Sequence, residues 1–170
     1  MKKYLLFLFL LIIVASCAPS VEPLTDKEIQ TEKNAILDVI KAYNTASQEK
    51  DFAGILPTLA DDVIFFGTDS AEVIRNLNEF KRKITEQFNE VDEVRYGKMS
   101  DVSILIDPYG KFASIIYGMP LTVVKDNKIE NLFVRVARTL RKEDGRWVIA
   151  SGIIGVAQGT NTAHADSTGQ

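Results

Sequence analysis

Four segments in the second half of the chain repeat their apolar residues with a period of two, and this pattern constrains the fold most. They span residues 101–107, 111–119, 130–140 and 146–154. Turn sequences separate them at Asp107-Pro108-Tyr109-Gly110, Asp126-Asn127 and Glu143-Asp144-Gly145. A period of two puts alternate side chains on one face of a strand, and Asp, Asn and Gly favour tight hairpin turns. The pattern predicts consecutive antiparallel hairpins.

The first half of the chain carries a helical period instead. Thr25 and Glu28 have the spacing of a capping box, which predicts a helix running to about Glu49. The apolar face of this helix is formed by Ile29, Ile36, Ile40 and Tyr43. Because helices precede a run of hairpins, the sequence predicts an α+β domain in which a strongly curved antiparallel sheet wraps around the first helix. Such a sheet leaves a cavity at its open end.

Three shorter elements connect the first helix to the hairpins. Asp51 is placed to cap a short helix that carries Ile55 and Leu56. Residues 63–67 predict a buried strand. A third helix is predicted from the spacing of Leu77, Phe80, Ile84 and Phe88.

The N-terminus has the pattern of a secretory signal peptide over residues 1–16. Two lysines precede an almost entirely apolar run, and small residues follow it. The run is shorter than the roughly 18–20 residues of a membrane-spanning helix. Residues 14–17, Val-Ala-Ser-Cys, resemble a bacterial lipobox, so we expect Cys17 to be acylated and to hold the protein on a membrane. An ordinary secreted protein with an incidental cysteine is the alternative.

The sequence also indicates domain boundaries and a location. Residues 17–24 are rich in proline and are expected to form a tether. Residues 25–157 are expected to form one domain, and residues 158–170 a disordered polar tail. Ala18, rather than an aspartate, follows the cysteine. By resemblance to lipoproteins of double-membrane bacteria, this residue indicates the outer membrane, facing the periplasm.

Composition argues against several classes of partner. Without the two lysines of the signal segment the chain has 18 basic and 23 acidic residues, a net charge of about −5. This acidic balance excludes a nucleic-acid partner, and residues 81–83, Lys-Arg-Lys, are expected to be a solvated helix face. The chain has one histidine, His164, and one cysteine. No metal site, cofactor or intramolecular disulfide is therefore expected.

Two segments carry a resemblance to a known family. Residues 43–73, YNTASQEKDFAGILPTLADDVIFFGTDSAEV, have a helix ending in Lys-Asp, a short helix, an acidic pair, a strand and a Gly-Thr-Asp turn. Residues 135–155, RVARTLRKEDGRWVIASGIIG, resemble a closing hairpin with a Gly-x-Trp turn. Over about residues 29–157 the chain resembles the SnoaL-like, nuclear transport factor 2-like superfamily. The resemblance implies a cone-shaped fold, often dimeric through the outer sheet face, that hosts enzymes and binding modules alike.

The resemblance also assigns candidate catalytic positions. Tyr43 stands where steroid isomerases of this superfamily keep a tyrosine that donates to an oxyanion. Their carboxylate base falls on Gly67 here, and Asp69 is the nearest acidic residue. The His-x-His of many relatives falls on Ser151 and Ile153, which cannot shuttle protons near neutral pH.

The remaining candidates for a pocket are Phe66, Tyr117, Met119 and Arg135, together with Tyr43, Asp69, Ser151 and Ile153. Each has a structural alternative: packing in the core for Tyr43, Tyr117 and Met119, a helix or turn cap for Asp69, and a salt bridge or exposed charge for Arg135. Trp147 is expected to be a structural plug.

Two function classes remain open from the sequence, and a pure dimerisation domain whose cavity is filled by its own side chains is a third possibility. One is a membrane-tethered module that binds a small, apolar or weakly anionic ligand, or a protein partner, without catalysis. The other is an isomerase or hydratase-like enzyme that uses Tyr43 and Asp69.

Overall fold

The computed structural model describes residues 22–157, which form three α-helices and a mixed sheet of seven strands. The helices are α1 (Asp26–Gln48), α2 (Phe52–Ile55) and α3 (Leu77–Glu90), and a 3-10 turn spans Leu56–Thr58. The strands are β1 (Leu59–Phe66), β2 (Val73–Ile74), β3 (Glu93–Tyr96), β4 (Ser100–Ile106), β5 (Phe112–Lys125), β6 (Lys128–Glu143) and β7 (Arg146–Val156). The expected signal peptide, Cys17 and the expected tail lie outside the described residues.

Helix α1 begins and ends as its sequence predicts. The Glu28 backbone N–H donates to Thr25 Oγ1 at 3.4 Å, and the Thr25 backbone N–H donates to Glu28 Oε2 at 2.8 Å. This capping box satisfies two N–H groups that have no partner within the helix. Asp51 precedes α2 as predicted, but its side chain makes no capping hydrogen bond. None of the helices in residues 22–157 is long and apolar enough to cross a membrane.

The predicted hairpins are confirmed, because β4, β5, β6 and β7 pair antiparallel in chain order. The sheet as a whole is mixed rather than antiparallel, since β1 pairs parallel with β7. The strand order is β2-β1-β7-β6-β5-β3, with β4 pairing the other half of β5. Register shifts interrupt the β1–β7, β4–β5 and β6–β7 ladders. Such bulges bend a sheet, which lets this one curve around α1.

Trp147 is 4% exposed and packs in the core. Its indole Nε1 donates to Glu32 Oε2 at 2.6 Å, and Lys142 Nζ donates to Glu32 Oε1 at 2.6 Å. Burial acts to raise the pKa of Glu32, but the hydrogen bonds from Lys142 and Trp147 outweigh it and lower that pKa. This anchor ties α1 to the β6–β7 hairpin, and Trp147 is the structural plug that the sequence predicts.

Candidate functional site

A cavity of about 450 Å³ lies between the second half of α1, helix α3 and the concave face of the sheet. Polar and apolar groups both contribute to its wall, and the apolar residues include Phe65, Phe80, Ile84, Val94, Met119, Leu121, Leu132, Val134 and Val136. Helix α3 also contributes charged side chains: Lys83, Glu86 and Glu90. The volume is within the usual range for a small-molecule site.

Strand β6 defines the inner end of the cavity. Alternate residues of this strand, Leu132, Val134, Val136 and Arg138, line the cavity in order. The next inward residue is Leu140, which is fully buried and packs in the core. On α1 the cavity also ends at one residue. Tyr43 lines the cavity, whereas Ile40, about one helical turn earlier, is fully buried. Arg138 and Tyr43 therefore form the floor of the cavity.

The guanidinium of Arg138 contacts two aromatic rings, which meet each other edge to face. Its central carbon is 4.5 Å from the ring centroid of Tyr43 and 4.9 Å from that of Phe65. These contacts are attractive because the faces of the rings are electronegative. Glycine at position 152 leaves the space for this arrangement, since a Cβ there would be 3.1 Å from Arg138 Nη1 and 3.1 Å from the Phe65 ring.

No acidic partner neutralises this arginine. Among residues 22–157, Arg138 forms neither a salt bridge nor a hydrogen bond of good geometry. Burial acts to lower the pKa of Arg138, but the neighbouring Tyr43, Tyr117 and Tyr96 outweigh it and raise that pKa. The side chain is therefore a cation throughout the physiological pH range.

Other polar groups near the floor also lack partners. Within the part of the chain that the structure describes, Asn44 Oδ1, Ser47 Oγ, Tyr117 Oη and Arg138 Nε are buried without a hydrogen bond. The Asn44 amide donates only to the sulfur of Met119, at 3.9 Å. Burial raises the pKa of Tyr96, so its phenol is neutral. The floor thus combines one positive charge with neutral hydroxyl and amide groups.

The structure brings only some of the predicted pocket residues together. Tyr43 and Met119 line the cavity, and Tyr117 lies just beneath it, 1% exposed and beside Arg138. Phe66 borders the cavity, although 49% of it is exposed. Tyr43, Tyr117 and Met119 also pack in the core, which is the structural role that the sequence left open for them.

Arg135, Ser151 and Ile153 lie on the outer face of the sheet, which corrects their prediction as pocket residues. Arg135 alternates with the inward Val134 and Val136, and it is exposed. Ile153 is 55% exposed and only borders the cavity, and its partners in the sheet are Ala137 and Phe66. Neither Arg135 nor Ser151 lines the cavity. The arginine of the cavity is Arg138, which could have been found by extending the apolar alternation of Val134 and Val136 by two residues.

The predicted base, Asp69, does not line the cavity with Tyr43. It is exposed in the β1–β2 turn, where its Oδ1 accepts from the backbone N–H of Ala71 at 2.8 Å. The carboxylate beside Gly67 belongs to Glu72, because a Cβ at position 67 would overlap the Glu72 side chain. Glu72 Oε2 accepts from the backbone N–H groups of Thr68 at 2.7 Å and Asp69 at 3.1 Å, which orders the turn.

No group of three or more metal-ligating side chains is assembled within residues 22–157. What the site offers is a recess that accepts apolar groups, with a fixed cation at its floor and neutral hydrogen-bonding groups around it.

Solved structures of the same shape come from several bacteria. A candidate scytalone dehydratase from Novosphingobium aromaticivorans is 11% identical, with a TM-score of 0.71 over 79% of this chain and 89% of that one. A candidate dehydratase of the NTF2-like family from Streptomyces avermitilis is 13% identical, with a TM-score of 0.66 over 76% and 99%. A ketosteroid isomerase-like protein from Erwinia carotovora is 18% identical, with a TM-score of 0.63 over 74% and 96%. At these identities the likeness shows the fold alone.

A search of curated protein sequences gave no match to the chain. The profile of the SnoaL-like domain matches residues 36–156, from the middle of α1 to the end of β7. The match includes every strand of the cone and the residues that line its cavity. The chain belongs to the SnoaL-like domain family.

Proposed function

We propose that this protein is a binding module whose cone holds a small, mostly apolar ligand without transforming it. The observation that carries the proposal is the composition of the cavity floor. Tyr43, Asn44, Ser47 and Arg138 can donate or accept hydrogen bonds, but none of them is a carboxylate or an imidazole. A general base that works near neutral pH is therefore lacking where a ligand would lie deepest.

The test is binding of a neutral, apolar fluorescent probe, N-phenyl-1-naphthylamine, to the purified full chain. We expect saturable fluorescence enhancement, because the cavity removes the probe from water. Native mass spectrometry of the protein from its own host should in addition detect a retained small molecule. Absence of both signals would contradict a binding function.

An isomerase or hydratase-like enzyme is the second candidate, and one observation favours it. The carboxylate of Glu72 lies beside Gly67, the position at which the resemblance to steroid isomerases expects a base. The names of the dehydratase and isomerase-like neighbours point in the same direction. Against this candidate, Glu72 is exposed, and one of its two oxygens, Oε2, is already engaged by two backbone N–H groups of the turn.

Tyr43→Phe separates the two candidates. In a binding module the loss of one neutral hydrogen bond should weaken ligand affinity by about 1 kcal/mol, with no reaction to slow. In an enzyme that uses the phenol to stabilise an oxyanion, turnover should fall by roughly a hundredfold while affinity barely changes. Calorimetry measures the affinity for whatever ligand copurifies, and mass spectrometry follows its conversion. We expect the first result, and conversion that collapses in the variant would establish the enzyme.

We also propose that the module is a lipoprotein of the cell envelope, tethered through Cys17. The support is the signal-like run and the lipobox-like residues 14–17. Cys17→Ser should abolish incorporation of labelled fatty acid in the native host and leave the precursor uncleaved, because serine cannot take the thioether-linked lipid. Equal labelling of the variant and the wild type would contradict the tether.

A further inference from the structure

We propose that the ligand is an amphipathic carboxylate bound head-first, with its carboxylate paired to the guanidinium of Arg138 and its apolar body directed toward the mouth. This inference rests on the proposed binding function and specifies the class of ligand for the same cavity.

The case for an anion starts from the missing counter-charge. Arg138 is the last cavity residue along β6, and no acidic side chain of residues 22–157 forms a salt bridge with it. The Arg138 side chain is only partly accessible to water. Taking a cation even partly out of water without an acidic partner is costly, and the contacts with two aromatic rings compensate for part of that cost. By contrast, Arg141 on the same strand pairs with both Asp62 and Glu143. The cavity therefore holds an arginine whose partner must come from elsewhere.

The case for a carboxylate comes from shape and charge. The guanidinium lies against Tyr43 and Phe65, and its N–H groups point outward in its own plane, so a ligand that accepts hydrogen bonds from it approaches its edge. Parallel N–H groups at the edge of a guanidinium match the two oxygens of a carboxylate. The neighbouring Asn44 and Ser47 are neutral, so Arg138 supplies a single positive charge at the floor, and the lysine of the lining, Lys83, lies on α3. A doubly charged phosphate would leave an excess of buried negative charge, which disfavours it.

The case for head-first binding comes from the rest of the wall. From Arg138 to Leu132 the inward side of β6 covers six residues, a length of about 20 Å for an extended strand. The wall along this path is apolar, and Val134, Val136 and Met119 form part of it. Charged groups of both signs, Lys83 and Glu86 among them, are contributed by α3. An apolar body of about ten carbons fits along this path once its head group reaches the floor.

The experiment compares decanoate with decan-1-ol as competitors of N-phenyl-1-naphthylamine on the purified full chain. We expect decanoate to displace the probe at about 10- to 100-fold lower concentration than the alcohol, the range for hydrogen bonds to a charged group. Arg138→Met should remove this preference, so that decanoate and decan-1-ol displace the probe at similar concentrations. Arg138→Lys should restore part of it, because lysine keeps the charge but not the planar edge.

The matched control is Arg135→Met, which removes the same charge from the outer face of the same strand. It should keep the full preference for decanoate. Equal displacement by acid and alcohol, or a preference that survives in Arg138→Met or disappears in Arg135→Met, would overturn the head-first assignment while leaving the binding function standing. Failure of the neutral probe and of both competitors to bind would overturn the binding function and this inference together.

Discussion

Arg138→Met is expected to make the ligand-free protein more stable, by about 1–2 kcal/mol in the free energy of unfolding. The guanidinium contacts the Tyr43 and Phe65 rings and has no acidic partner among the described residues. Methionine has a similar length and no charge, so it removes the desolvation cost and keeps most of the packing. Urea denaturation followed by circular dichroism measures the change.

The control for this prediction is again Arg135→Met, which should change stability by less than about 0.5 kcal/mol because the residue is exposed. An increase in stability at position 138 means that the arginine is retained at a cost to the fold, as is common for binding sites. A loss of more than about 1 kcal/mol in Arg138→Met would instead show that the guanidinium is a structural part of the core.

Trp147→Ala is expected to cost about 3–5 kcal/mol of stability, the range for removing a large buried aromatic side chain. Trp147 packs in the core, and it lies outside the cavity lining. The substitution also takes one of two hydrogen-bond donors from the Glu32 carboxylate. The same urea titration measures the loss, with the midpoint compared at constant slope.

Trp147→Phe separates the two parts of this effect. It keeps most of the apolar volume and removes the indole N–H, so it should cost about 1–2 kcal/mol, less than the alanine variant. Probe binding in the phenylalanine variant should match the wild type, because the cavity floor at Arg138 lies on the other side of Leu140. A cost for Trp147→Ala below about 1 kcal/mol would contradict its role as the plug.

Whether a residue lines the cavity depends on which face of its strand it occupies. The β6–β7 hairpin illustrates this. The resemblance assigns roles to Arg135, Ser151 and Ile153 by their distance along the chain from family motifs. The outward position of Arg135 follows from a period of two anchored on the buried Val134 and Val136. The register shift lies in β7, where Ile149 pairs with Leu140 but Ser151 pairs with Thr139, so Ala150 is an extra residue. It changes the phase of β7, so counting forward from Trp147 in steps of two does not give the facing of Ser151 and Ile153.

The sequence by itself determined the elements and the architecture. The capping box at Thr25, the helical spacing of α3 and the four period-two segments are local signals, and each appears in the structure where it was predicted. The SnoaL-like resemblance likewise agrees with the family match over residues 36–156. These features can be predicted because helix capping and the alternation of apolar residues depend on residues that are close in the chain.

Only the tertiary structure decided which side chains meet. The parallel pairing of β1 with β7 joins residues about ninety positions apart, and no local pattern encodes it. The contact of Arg138 with Tyr43 and Phe65 depends on three elements meeting at one level of the cone, and on the absence of a side chain at Gly152. The separation of Asp69 from Tyr43 depends on the turn that Glu72 orders. Whether a charged side chain has an oppositely charged partner depends on packing in space. The sequence therefore predicts the cavity, but only the structure locates the cation in it.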